Sequence, residues 1–437
     1  MDIKRDYYLD KLIARKNDGF VKIVTGIRRC GKSFLLNELF LKHLLKQERV
    51  RPNNIIQIAL DNIENVHLCN PFRLYEHIRG CIKSSRTKYY ALIDEIQMCE
   101  EVPAGADGTA RTVTFYDTLN GLMKIPNLDI YVTGSNSKML SDDVATHFRD
   151  RGKIIRLHPL SFSEYLPASG KDAQQAFQEY LVYGGMPEAV LLKTHQEKQE
   201  YLSGLFATLY IKDIVEHNNL KDDLMLDYLI DVLMSNVGSL TNVSRMVDTL
   251  KSTQKIHTNP HTVKSFLKYL MQAYLFGKAE RYDVKGRKYL AYPSKFYAED
   301  IGLRNARLNY RQTEQTHLLE NIIYNELIAR GAKVDVGVVE IEHCDNGVRK
   351  QSTHEIDFVV NLGMGKLYIQ SALSLTDNEK RYQETLPLRK IRDSFRKLVI
   401  TGDNQPFYTD NDGISYVGVI PFLLDKSILN RLCDVES

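Results

Sequence analysis

Eight residues near the N-terminus, Gly26-Ile27-Arg28-Arg29-Cys30-Gly31-Lys32-Ser33, constrain this chain more than any other stretch. They match G-x-x-x-x-G-K-[ST] between the apolar strand FVKIVT and the helix-like run SFLLNELFLKHLLKQ, the strand-to-helix context such a phosphate loop needs. Glycines let backbone N–H groups wrap a phosphate at the start of a helix. The lysine reaches the β- and γ-phosphates, and the hydroxyl serves Mg²⁺. Residues 26 to 34, Phe34 included, are therefore the expected ATP-binding segment, with Lys32 on the phosphates and Ser33 on the metal.

A second apolar strand, Ala91-Leu92-Ile93, delivers two adjacent carboxylates, Asp94 and Glu95. Strand alternation gives them separate tasks: Asp94 holds Mg²⁺ through its water shell, and Glu95 polarises the attacking water. A third strand, Ile130-Tyr131-Val132-Thr133, runs into Gly134-Ser135-Asn136, where Asn136 is the expected γ-phosphate sensor with Ser135 beside it. Arg149 and Arg151, in HFRDRG, either lend positive charge to the transition state, in cis or from a neighbouring subunit, or form ordinary surface ion pairs. Cys30 reads either as a small tolerated loop residue or as a redox-sensitive thiol activated by the helix N-terminus and two arginines.

Strands alternating with helices through the first third imply a parallel α/β sheet. PAGADGTARTV, residues 103–113, reads as a surface loop inserted into it. With 437 residues the chain is too long for one hydrophobic core. Four segments are expected: an ATPase domain over 1–160, a helical lid or linker over 161–230, a winged-helix-like domain over 231–312, and an α/β nuclease-like domain over 313–437. No apolar run reaches the roughly 18–20 residues of a membrane span, MDIKRDYYLDKL lacks the apolar core of a signal peptide, and the six cysteines show no zinc spacing. A cytoplasmic protein with reduced thiols is the expectation.

The chain resembles the bacterial and archaeal AAA+ ATP-binding proteins that join an N-terminal AAA domain to a C-terminal domain of unknown function. The phrases VKIVTGIRRCGKSFLL, YYALIDEIQ, YVTGSNSKML, RGKIIRLHPLSFSEYL, YLVYGGMPEAV, LYIKDIV, EDIGLRNAR and LLENIIYNEL carry the resemblance over nearly the whole length. It implies an ATPase fold and leaves the biological target open.

The net charge of +3 hides a basic segment, with ten Lys/Arg against two Asp/Glu between Lys251 and Lys295. Two helical stretches followed by the hairpin KAERYDVKGRKYLAYP have the outline of a winged helix. Lys264 and Lys268 lie one turn apart on the second helix, and Lys285, Arg287 and Lys288 sit at the hairpin tip. Either the segment contacts double-stranded DNA or it packs against protein.

Further on, Glu320 on a helix and Asp357 at the end of HEIDFVV resemble the layout of the PD-(D/E)XK nuclease fold. Gln370-Ser371-Ala372 stands where that fold needs Glu-x-Lys, so an inactive nuclease-like module is expected unless Lys380 reaches back. The reading as a whole is a P-loop ATPase, an oligomer or not, that hydrolyses ATP with Mg²⁺ to switch its later domains on DNA. Its rivals are a DNA- or protein-binding module with ATP as a bound signal, and an ATP-gated nuclease.

Overall fold

The computed structural model describes residues 3–104, 111–134, 152–206, 214–215, 223–311, 314–345, 348–363, 365–375 and 377–433. Two compact units divide the chain: Met1–Pro159 with Gln272–Tyr274, and Leu160–Met271 with Leu275–Ser437.

The first unit is built on five parallel strands, β1 (Val21–Thr25), β2 (Ile55–Ala59), β3 (Tyr89–Asp94), β6 (Leu128–Gly134) and β7 (Gly152–Arg156), in the order β2-β3-β6-β1-β7. Near-continuous apolar runs such as Tyr89–Ile93 and Ile130–Val132 suit strands covered on both faces, and these side chains are buried. Leu74 and Ile78 of the helix Pro71–Cys81, and Leu119 and Leu122 of the helix Phe115–Leu122, close the core on one side. Lys22, fully buried on β1, is held by Asp129 of β6 at 2.5 Å. The ends of the 103–113 segment are not free loop: β4 (Val102–Pro103) pairs antiparallel with β5 (Thr112–Val113).

The second unit spans most of the residues assigned to the expected segments 161–230, 231–312 and 313–437. The helices Phe162–Ser169, Ala173–Tyr183, Pro187–Leu191 and His195–Leu205 belong to the same unit as everything downstream. So do the helix Asp223–Ser235, strand β8 (Leu240–Thr241), the helices Val243–Gln254 and Pro260–Gln272, and the hairpin β9 (Phe276–Asp283) and β10 (Lys288–Ala298). The hairpin is no free wing. Arg281, Tyr282 and Asp283 of β9 pair in parallel with Val336, Gly337 and Val338 of β11 (Lys333–Asp345), so the ladder crosses the boundary expected at 312/313. With β12 (Val348–Leu362), β13 (Gly365–Ala372), β14 (Arg396–Thr401), β15 (Tyr408–Thr409) and β16 (Ile414–Gly418), one nine-stranded sheet runs β15-β16-β14-β13-β12-β11-β9-β10-β8.

A buried carboxylate fastens the early helices of this unit to its later part. Asp300 caps the helix Ile301–Arg307 by accepting from the Leu303 N–H at 3.0 Å, and its other oxygen accepts from the Gly185 N–H at 2.7 Å. Burial pushes its carboxyl up to about 6, although the N–H groups of Gly185, Leu303 and Gly302 pull the other way. Next to it, Asn305 donates to the carbonyls of Leu181 and Val182, and Arg304 to that of Met234. The phrases YGGMPEA and EDIGLRNAR are thus two halves of one joint. Among the described residues no helix is long and apolar enough to cross a membrane, and Cys69, Cys81 and Cys99 are free thiols.

Candidate nucleotide site

The loop after β1 turns on residues with left-handed backbone, Gly26 (φ 147°), Arg29 (φ 67°) and Gly31 (φ 100°). Gly26 is required twice over, because a Cβ there would lie 2.1 Å from the Leu157 carbonyl oxygen. Gly31 caps the helix that opens at Lys32–Phe34 and continues with wider turns through Leu35–Phe40, and the Leu35 N–H bonds back to the Gly31 carbonyl at 2.9 Å. Lys32 is 3% exposed, and its Nζ donates to the carbonyls of Gly26 and Ile27 at 3.1 Å each. Ser33 is exposed at the start of the helix, Arg28 and Phe34 are half-buried, and Arg29 is exposed. Such a loop presents free helical N–H groups and an ammonium to an anion.

Of the two readings of Cys30, burial favours the small loop residue. Its side chain is fully buried and directed at the Leu157 carbonyl, 3.5 Å away, while its own carbonyl accepts from Arg5. A thiol so enclosed is closed to peroxide, and the redox-switch reading is withdrawn.

Asp94 and Glu95 lie where β3 ends, with β6 between β3 and the loop strand β1. Asp94 is 5% exposed. One of its oxygens accepts from the Thr133 hydroxyl and the other from the Asn37 amide at 3.3 Å. Asn37 stands one turn beyond Ser33, so this contact draws the Asp94 carboxylate to the first turns of the loop helix. Glu95 adopts a left-handed backbone (φ 53°). Its N–H donates to Thr133 Oγ1 at 3.1 Å, and its carboxylate accepts from the Gln97 amide. A non-glycine residue in that conformation carries a modest backbone cost, here held by the contact to Thr133. Asn37, Thr133 and Gln97 are neighbours of these carboxylates that sequence reasoning missed. Ser135, Asn136, Arg149 and Arg151 lie outside the described residues.

The residue pattern fits Mg²⁺. A buried carboxylate, oriented by two neutral donors and leaving lone pairs for metal-bound water, accompanies a solvent-facing hydroxyl at the mouth of an anion loop.

In the second unit Lys264 and Lys268 are exposed on Pro260–Gln272, and Lys285, Arg287 and Lys288 are exposed around the hairpin turn, Lys285 donating to the Glu340 carbonyl at 2.7 Å. Lys295, counted with the basic segment, turns inward instead. It is 3% exposed, with its Nζ 2.8 Å from Glu320, 2.5 Å from Glu355 and 3.8 Å from Asp357. Burial lowers the lysine's pKa, and the carboxylates of Glu320, Asp357 and Glu355 more than offset it, leaving it above its ordinary value. Burial and the nearby Asp357 raise Glu320 to about 7 against the pull of Lys295. Gln370 and Ser371 meet Asp357: the Asp357 N–H points to Gln370 Oε1, and the Ser371 N–H and Oγ donate to Asp357 at 2.8 and 3.0 Å. Ala372 is buried beyond them. Lys380 stands in the first turn of the helix Asn378–Arg389 and acts electrostatically on Glu384, a residue that accepts from Gln370.

Residues 18–166 match the model of the AAA domain, and residues 174–314 match a domain of unknown function (DUF8612). An uncharacterized protein of Haemophilus influenzae is 34% identical over 429 residues, 97% of this chain and 98% of that one. The chain belongs to that protein's family. A more distant uncharacterized protein of Methanocaldococcus jannaschii is 24% identical over 444 residues, spanning 96% of this chain and 90% of its own length. Among solved structures, the Walker-type ATPase of Pyrococcus abyssi is similar at 15% identity and a TM-score of 0.47, over 70% of this chain and 96% of that one. This family member has the AAA-type P-loop ATPase fold, with the loop, Asp94 and Glu95 all inside the matched AAA domain.

Proposed function

We propose that this protein hydrolyses ATP with Mg²⁺ and uses the cycle to switch the contacts of its second unit with double-stranded DNA. The observation that carries the hydrolytic half is the joint placement of a buried Lys32 ammonium on the loop carbonyls and of Asp94 at the head of the loop helix, with Glu95 next to it. Lys32 exchanges its two carbonyl partners for phosphate oxygens when nucleotide enters, and Ser33 and Asp94 hold the metal ion with its water shell. Glu95 orients and polarises the attacking water. Mg²⁺, when bound, neutralises charge on the β- and γ-phosphates. Asn136 is assigned as the γ-phosphate sensor, and Arg149 or Arg151 as the source of transition-state charge, from the same chain or a neighbouring copy.

Support for DNA comes from the order helix, short strand, two helices, hairpin, with β8 pairing to β10 at Thr241 and Ser294, which is the order of a winged helix. Exposed cations mark its second helix and its hairpin turn. The deciding assay is ATP turnover by the full chain with and without double-stranded DNA, with Lys32→Ala as the blank. Turnover that DNA raises several-fold and that Lys32→Ala abolishes is the expected result. Turnover indifferent to DNA sinks the DNA half and points to a protein partner.

A second expectation concerns affinity. The double variant Lys264→Glu/Lys268→Glu lowers DNA affinity by about ten-fold or more at 0.1 M salt and flattens the log–log salt dependence by about two, one for each lost phosphate contact. An unchanged salt slope, measured by fluorescence anisotropy, excludes this helix from the DNA surface.

A further inference from the structure

Lys295 and the carboxylates around it supply an inference that does not depend on the nucleotide site. Glu320, Asp357 and the strand after them resemble the layout of a fold whose active members hold a divalent cation between such carboxylates. The side chains do not fit one. Lys295 reaches in from β10, and its Nζ stands 2.8 Å from Glu320 Oε1, 2.5 Å from Glu355 Oε1 and 3.8 Å from Asp357 Oδ1. Mg²⁺ needs carboxylate oxygens at about 2.1 Å in an octahedron. An ammonium facing the same oxygens fills that volume and repels a second positive charge.

Two of the carboxylate oxygens also accept from neutral donors. Glu320 Oε1 also accepts from the Tyr297 hydroxyl at 2.7 Å, and Asp357 Oδ2 accepts from both the N–H and the hydroxyl of Ser371. Gln370, where a charged ligand is required, turns its amide oxygen to the Asp357 N–H. Among the described residues no group of three or more His, Cys, Asp or Glu is arranged to hold a metal ion.

We propose that the Lys295 ammonium is the permanent counter-ion of the Glu320–Glu355–Asp357 cluster, standing where a metal-dependent phosphodiesterase would carry its cation, so that the second unit works without metal. Carboxylates buried with no cation are costly. Lys295 offsets part of that cost at Glu320 and Asp357 with a group that cannot leave and cannot activate water as a metal does. The unit therefore does not cut by metal-activated water.

The test reads metal binding directly. Mn²⁺ uptake by the full chain without nucleotide is followed by electron paramagnetic resonance, and ions at the nucleotide site are common to all variants and cancel. The wild type and Asp357→Asn are expected to take up the same amount of Mn²⁺. Lys295→Gln is expected to gain about one Mn²⁺ per chain, and adding Asp357→Asn removes it again. Mn²⁺ lost from the wild type on Asp357→Asn overturns the proposal, as does a folded Lys295→Gln chain that gains none. Should Lys295→Gln fail to fold, the comparison of the wild type with Asp357→Asn, repeated with the partly exposed Glu355→Gln, decides alone.

Discussion

Glu95→Gln is expected to bind ATP within about two-fold of the wild type while turnover falls by roughly 10² to 10³-fold, the ordinary cost of deleting a general base. The substitution is nearly isosteric. It leaves the main-chain tie to Thr133 and the left-handed turn intact, and it removes only the basicity of a carboxylate placed next to Asp94. Fluorescent-nucleotide binding and single-turnover hydrolysis, measured on the same preparation, separate the two effects. Equal losses in both make Glu95 a keystone of the turn, and unchanged hydrolysis means the water is activated elsewhere.

Gly184→Ala is expected to cost about 3 kcal/mol or more of stability, enough to leave much of the protein insoluble. Gly184 has φ 66°, and an added Cβ would lie 2.3 Å from Asp300 Oδ1 and 2.5 Å from the Gly302 amide nitrogen. Relief requires moving Asp300 off the Gly185 and Leu303 N–H groups, and each buried donor left unpaired adds about 1–3 kcal/mol. Denaturant unfolding of Gly184→Ala beside Gly170→Ala checks the site dependence: Gly170 has a similar φ of 66° and open space around it, so it isolates the backbone part. Equal losses in the two variants would show that the Asp300 joint contributes nothing. The pH dependence has a definite sign. The folded state raises the Asp300 pKa from 3.8 to about 6, so it holds the proton more tightly than the unfolded chain does. This group's contribution is therefore complete below about pH 4 and is lost as pH rises through about 6.

The nucleotide loop was legible because every requirement for it lies within nine consecutive residues and their flanks. The same holds for Asp94 and Glu95, which close a strand whose apolar run declares it buried. Their supporting partners were not legible. Asn37 and Thr133 reach Asp94 from positions 57 and 39 residues away, and nothing in a neutral Asn or Thr announces the contact. At Cys30 a local reading of charge left two alternatives open because burial is not written in it, and the Leu157 backbone lies against the thiol. Strand β7 went unassigned because GKIIR follows an arginine-rich run and its pairing partner, β1, lies far back in the chain.

Lys295 shows the limit most clearly. Counted along the sequence it adds to a basic patch, and only the register of β10 against β9 turns its side chain to face acids at positions 320, 355 and 357. The sign of its contribution depends on pairing between strands, which a one-dimensional charge count does not contain.

The parallel ladder from Arg281–Asp283 to Val336–Val338 also bears on how the chain tolerates being cut or transplanted. A piece ending near residue 311 would keep its helices and its hairpin but bare one long edge of β9, a row of unspent N–H and C=O groups. Such an edge recruits a stranger's strand when its own is withheld, so aggregation is the natural fate of the basic element taken alone. What reads along the sequence as two modules shares one sheet, and cutting between them is expected to unsettle both.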